Sequence, residues 1–214
     1  MTFALIEVEA MAKKAARGAG YSWGMAEEAA NATRWLCAAG FDGVAALAVV
    51  LAQTNGLNQR EMAPSLLAGD WQAGTGTMCP LMAGATLSDC TDYWAKDGKR
   101  IANVIAPILL VPFAASSARQ LGTTVTLETN DARVVTDGSA ISISSKHDAA
   151  LFATAETINV RTGGQLDHPL PAQLRANPSD ADWATLNTFA HRTYAPDTEA
   201  SRLRGAGAGL TDND

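Results

Sequence analysis

Thr123-Thr-Val-Thr-Leu-Glu128, Ala132-Arg-Val-Val-Thr136 and Ser139-Ala-Ile-Ser-Ile-Ser144 are three short runs separated by Asn130-Asp131 and Asp137-Gly138. Val125 and Leu127 alternate with Thr124, Thr126 and Glu128, and Ile141 and Ile143 alternate with serines. A period of two is the pattern of a strand with one face buried. Asn-Asp turns the chain, and Asp-Gly is a two-residue hairpin signal. The three runs therefore read as an antiparallel meander, and Phe152 to Arg161 adds a further strand through Ile158 and Val160. Upstream, Ile101 to Val111 is apolar enough for one or two buried strands. Pro112 fits the first position of a helix ending at Leu121, with Gly122 as its stop. The alternative is an open α/β sheet, in which the strand–helix–strand unit at 101–128 is a parallel crossover.

Helices flank this region. Leu5, Val8, Ala12, Ala15 and Ala16 recur at helical spacing over 4–17, and Gly18-Ala19-Gly20 stops the run. A second helix starts near Ser22, with Trp23, Ala26, Ala30, Thr33 and Cys37 on one face. A third runs from Gly43 to Ala52. Residues 55–100, punctuated by Gly and Pro, read as irregular with one short strand over Ala83 to Leu87. Gly163 to Pro178 is a loop. Ser179 and Asp182 form a capping-box variant at the head of a helix carrying Trp183, Leu186, Phe189 and Ala190. Pro196 to Arg204 reads as a short last helix. The fold expected is a single α+β domain over 1–214, with an N-terminal helical hairpin and a C-terminal helix packed on a central, mainly antiparallel sheet.

Composition excludes several classes. Sixteen Lys and Arg against 22 Asp and Glu leave a net charge of −6 with no basic run. That argues against a nucleic-acid partner and against anionic membranes. Charged residues make up 18% of the chain, few enough that a homo-oligomer is expected to bury part of the surface. Cys37, Cys79 and Cys90 are irregularly spaced and read as small core residues. No Cys-x-x-Cys, His-Glu-x-x-His or Walker loop occurs, so no metal site is expected and no cofactor is indicated. The N-terminus lacks the basic start of a signal peptide, and the longest apolar run, Val104 to Ala115, is broken by Pro107 and Pro112. The expected location is the cytoplasm.

Two stretches carry the residue types that sites use. Gly20-Tyr21-Ser22-Trp23-Gly24 matches the G-x-S-x-G of a nucleophile elbow, which makes Ser22 a candidate nucleophile. A helix precedes it instead of a strand, so Ser22 as an N-cap is the simpler reading. Lys13, Lys14 and Arg17 at one helix end, and Glu27 and Glu28 near the start of the next, complement the helix dipoles and need no ligand. Arg17, Tyr21, Trp23 and Glu28 could nonetheless wall a small-molecule site. The second stretch is His191-Arg192-Thr193-Tyr194, followed by Glu199, Arg202 and Arg204. His191 is the candidate general acid or base. Arg192 and Arg202 would hold a carboxylate or phosphate beside Tyr194. Of the other histidines, His147 lies at a polar hairpin end and His168 in a loop.

Lys13-Lys-Ala-Ala-Arg17-Gly-Ala-Gly-Tyr21-Ser-Trp-Gly-Met-Ala-Glu27-Glu28-Ala resembles the N-terminal signature of an uncharacterised bacterial family filed as a domain of unknown function. The segment from His191 to Asp214 resembles the same family, and Met25 stands where the signature has Leu. The resemblance implies no activity, cofactor or catalytic residue. The residues alone lead to an enzyme or binding protein for an anionic metabolite, with its site where the 17–28 turn meets the 191–204 segment. The rival is a non-catalytic homo-oligomeric scaffold or accessory subunit in which Trp23, Trp35 and Tyr194 face another chain.

Overall fold

The computed structural model describes residues 1–146 and 151–194. The element order is β1 (Phe3–Ala4), α1 (Leu5–Gly18), α2 (Trp23–Ala38), α3 (Gly43–Thr54), α4 (Pro80–Asp89), α5 (Thr91–Trp94), β2 (Lys99–Val104), α6 (Val111–Leu121), β3 (Val125–Glu128), β4 (Ala132–Thr136), β5 (Ile141–Ser145), β6 (Ala155–Thr162), β7 (Arg175–Ala176) and α7 (Asp180–His191). The fold is α+β. The helix read over Pro196 to Arg204, together with Glu199, Arg202 and His147, lies outside the described residues.

The main sheet has the order β2-β6-β3-β4-β5, with every neighbouring pair antiparallel. β3, β4 and β5 form the meander that the alternation indicates. β6 then returns past it and inserts between β2 and β3, so the unit β2–α6–β3 joins two parallel strands that a third strand splits. The parallel-crossover alternative thus captured the direction of these strands but not their separation. Thr136 pairs with Ile141, so the Asp137-Gly138 turn is a four-residue loop in place of a two-residue one. Asp137 closes it by accepting from the Ser139 and Ala140 amides, both at 2.8 Å, and these donors hold its carboxyl below the usual carboxylate range.

α6 packs on the inner sheet face over β3 and β4, with α4 beside it. The α1/α2 hairpin, α3 and α7 form the helical layer behind. The helix boundaries follow from local chemistry. Glu7 reaches back to the Ala4 amide at 2.6 Å, and Ser22, Asp42 and Ser179 accept from the amides of Met25, Ala45 and Asp182. Gly122 ends α6 at φ +62, in the left-handed region that favours glycine.

Two segments depart from the sequence reading. Residues 80–89 are a helix, where a strand was expected over Ala83 to Leu87. Pro80 starts it, Leu81, Gly84 and Leu87 face the core, and a Cβ at Gly84 would stand 2.2 Å from the Phe113 ring. The glycine that reads as punctuation is a packing glycine. Ile101 to Val111 is one strand followed by a buried 3-10 turn over Pro107–Leu110. A fully buried run carries no periodicity that separates strand from helical turn. The remainder of 55–79 covers the edge of β2: Trp71 N donates to Arg100 O at 2.8 Å and Met78 N to Asn103 O at 2.8 Å. No described helix is long and apolar enough to cross a membrane.

Candidate functional site

α1 carries two stripes. Val8, Ala12, Ala15 and Ala16 are buried against the helical layer, while Ala10, Lys13, Lys14 and Arg17, at steps of three and four, share the opposite face. α1 meets α7 at Gly18, where an added Cβ would lie 1.8 Å from the carbonyl oxygen of Phe189. That backbone-to-backbone approach brings the ends of both helices together. Ala10, Lys13, Lys14, Arg17, Trp23, Arg192 and Thr193 line a single open basin of about 570 Å³. The 17–28 turn and the end of α7 therefore do meet.

The basic side chains in the basin are held from behind. Arg17 Nη1 donates to the Tyr21 carbonyl, and its guanidinium lies 4.5 Å from the centroid of the Trp23 ring. Arg192 Nη1 donates to Asn55 Oδ1 at 2.8 Å, and its guanidinium lies 4.5 Å from the Phe189 ring. Lys13 pairs with Glu27 at 2.7 Å. Lys14 Nζ stands 6.0 Å from the Tyr194 ring. Among the described residues, Glu27 is the one carboxylate paired with any of these four cations. Trp23 is 66% exposed and Tyr194 56%. His191 is exposed one ring beyond, edge-on to Tyr194 with centroids 5.4 Å apart.

Of the candidates, Arg17, Trp23 and Arg192 line the basin, exposed His191 and Tyr194 do not line it, and Tyr21, Ser22 and Glu28 lie away from it. The Tyr21 side chain is fully buried, and its hydroxyl meets Thr54 Oγ1 at 3.1 Å and Cys79 Sγ at 3.3 Å. Burial, with Cys79 adding to it, pushes the Tyr21 phenol far above its ordinary value, and burial also raises the Cys79 thiol. Tyr21 thus fastens the α1–α2 turn to α3 and to the head of α4. Its carbonyl, not its ring, serves the basin through Arg17. Ser22 Oγ caps α2 by accepting from Met25 N at 3.3 Å, in a helix–helix turn with no strand before it. The nucleophile-elbow reading is corrected accordingly. Ser22 borders a separate hollow with Asn58, Gln59 and Arg60. Glu28 faces Asp89: partial burial and then the Asp89 and Glu27 charges raise its pKa, and it does not line the basin.

Lys13 and Lys14, expected as dipole complements, lie before the last turn of α1, where only Arg17 stands, and Glu27 and Glu28 lie past the first turn of α2; the two lysines line the basin instead. Their spacing with Ala10 and Arg17, opposite the buried stripe, was the available signal. Asn55, which orients Arg192 from the end of α3, had no signal in the sequence. Trp35 of the rival reading is half-buried and packs against the core.

Residues 3–79 match the family model described as Protein of unknown function (DUF3726). The signature at 13–29 falls inside that range, as does the α1–α2 wall of the basin, whereas Arg192 and Thr193 lie beyond it. No curated protein and no solved structure matches the chain.

Proposed function

We propose that this chain binds a small anionic metabolite, a carboxylate or phosphate, in the basin between α1, the start of α2 and the end of α7. The observation that carries the reading is the convergence of Lys13, Lys14, Arg17 and Arg192 on one hollow of a chain whose net charge is −6. Like charges repel, so four cations gathered around one hollow raise the energy of the empty site. Two of them are guanidiniums whose planes are fixed by a carbonyl, an amide oxygen and aromatic rings. A fixed guanidinium offers paired N–H donors that match two oxygens of a carboxylate or phosphate. Where a bound anion reacts, the exposed His191, next to Arg192 in the chain, is the group that would give or take the proton.

The test is a thermal-shift titration of the full chain against inorganic phosphate, pyrophosphate, succinate and citrate. A ligand at 100 times its Kd adds about 2.7 kcal/mol to stability, which reads as a clear rise in Tm. The expected result is a rise with at least one of these anions that Arg192→Ala abolishes and that Arg60→Ala, on the neighbouring hollow, leaves intact. A flat response to all four, or a response that Arg192→Ala does not change, overturns the reading.

A second reading rests on the exposed Trp23, which lines the basin, and the exposed Tyr194, whose ring centroid lies 6.0 Å from Lys14 Nζ. Another copy of the chain would cover them in a homo-oligomer. It predicts that Trp23→Ala lowers the molar mass found by light scattering and leaves anion response unchanged.

A further inference from the structure

We infer that the anion bound in the basin carries an aromatic ring as well as its charge, and that the ligand class is a ring-bearing phosphate such as a nucleoside diphosphate. The inference rests on the anion-binding reading and deepens it. Trp23 is the first residue of α2, and the helical period puts it on the same face as Ala26, Ala30, Thr33 and Cys37. Those four are buried, while the indole, the largest side chain among them, is 66% exposed.

One face of the indole is covered. The Arg17 guanidinium lies 4.5 Å from the ring centroid and is tied to the Tyr21 carbonyl, so indole and guanidinium form a braced pair. A flat ring laid on the open face would extend this pair to a stack of three, and such stacking tolerates any base because every base has a π face. Charge gives the second requirement. Four cations less the one paired carboxylate leave a local excess of three positive charges. Each terminal phosphate supplies about −1.5 to −2 at neutral pH. Size gives the third. At about 570 Å³ the hollow falls in the range of sites for drug-sized ligands. Inorganic phosphate alone would leave the indole in water and most of the space unused.

The experiment is calorimetric titration of the full chain with ADP, phenyl phosphate, pyrophosphate, inorganic phosphate and adenosine, with tryptophan fluorescence followed in parallel. The expected result is that ADP binds about tenfold tighter than pyrophosphate, in keeping with one stacked ring. Phenyl phosphate should exceed inorganic phosphate in the same sense. Quenching on ADP addition should vanish in Trp23→Phe while most of the affinity stays. Trp23→Leu should bring ADP to the affinity of pyrophosphate. Equal affinity for ADP and pyrophosphate in the unaltered chain overturns the ring and leaves the anion site standing. Adenosine binding as tightly as ADP overturns the charge requirement. No binding by any phosphate removes the inference together with the reading beneath it.

Discussion

Tyr21 and Trp23 are two aromatics separated by a single serine, and they meet opposite fates. The chain enters α2 extended at Ser22, so side chains on either side of the cap point in different directions. Tyr21 goes inward to Thr54 and Cys79, and Trp23 stays out beside Arg17. Composition groups them as one wall, because a Gly-rich turn with two aromatics carries no signal of which ring is buried. Their substitutions separate the two roles. Tyr21→Phe removes a hydroxyl from a closed site and leaves the Thr54 and Cys79 side chains short of a partner, so it should cost about 1–3 kcal/mol. Urea unfolding reads that loss as a lower midpoint. Phosphate affinity should stay within twofold, because the Tyr21 carbonyl that anchors Arg17 is untouched. Tyr21→Phe that unfolds normally but loses phosphate binding would return the Tyr21 ring to the site.

At the scale of elements, the contact that builds the basin is the crossing of α1 and α7 at Gly18. A methyl group there has no side chain to displace, only the Phe189 carbonyl 1.8 Å away. Gly18→Ala should therefore push the helices apart, destabilise the protein by about 1–3 kcal/mol and weaken anion binding by moving Arg192. Gly24→Ala is the control. It sits at the second position of α2 with nothing within 4 Å of an added Cβ, and alanine there should be neutral or raise stability by up to about 1 kcal/mol. Equal effects of the two substitutions on Tm would show that the crossing is not tight. The same pair explains what could be read in advance. α1, α2 and α7 announce themselves through a 3.6 period, α6 through Pro112 and Gly122, β3 and β5 through alternation, and β4 through the turn signals on either side of it. α4 does not, because Gly84 is explained only by Phe113, twenty-nine residues further on in the chain. The insertion of β6 between β2 and β3 is likewise a choice among long-range pairings that no local pattern records. The basin is half legible: both stretches carry its residue types, but Lys13 and Lys14 read as complements of the α1 dipole, although only Arg17 stands in the last turn of α1 and no carboxylate stands in the first turn of α2.

In the whole molecule, the site depends on how the first strand restrains the last described helix. β1 pairs with β7 through Phe3–Ala176 and Ala4–Arg175, and the Phe3 ring stacks on Trp183 of α7 at 3.7 Å. α7 is thus held at both ends, by Phe3 near its start and by the α1 crossing at Gly18 near its end. Arg192 follows directly from it. The core between these ties is continuous from Val8 to Ala190, so loosening one of them need not unfold the protein. Phe3→Ala removes a stacked pair and a half-buried ring, worth roughly 1–2 kcal/mol. If the clasp orders α7, the amides of 183–192 should exchange faster in Phe3→Ala by more than the global loss accounts for, while those of β3 and β4 track the global loss alone. Anion affinity should fall by several fold through Arg192, with saturating phosphate restoring part of the protection of α7. Exchange that rises equally in α7 and in the sheet would mean that Phe3 contributes only to overall stability, and that the basin is set by the Gly18 crossing without help from the strand.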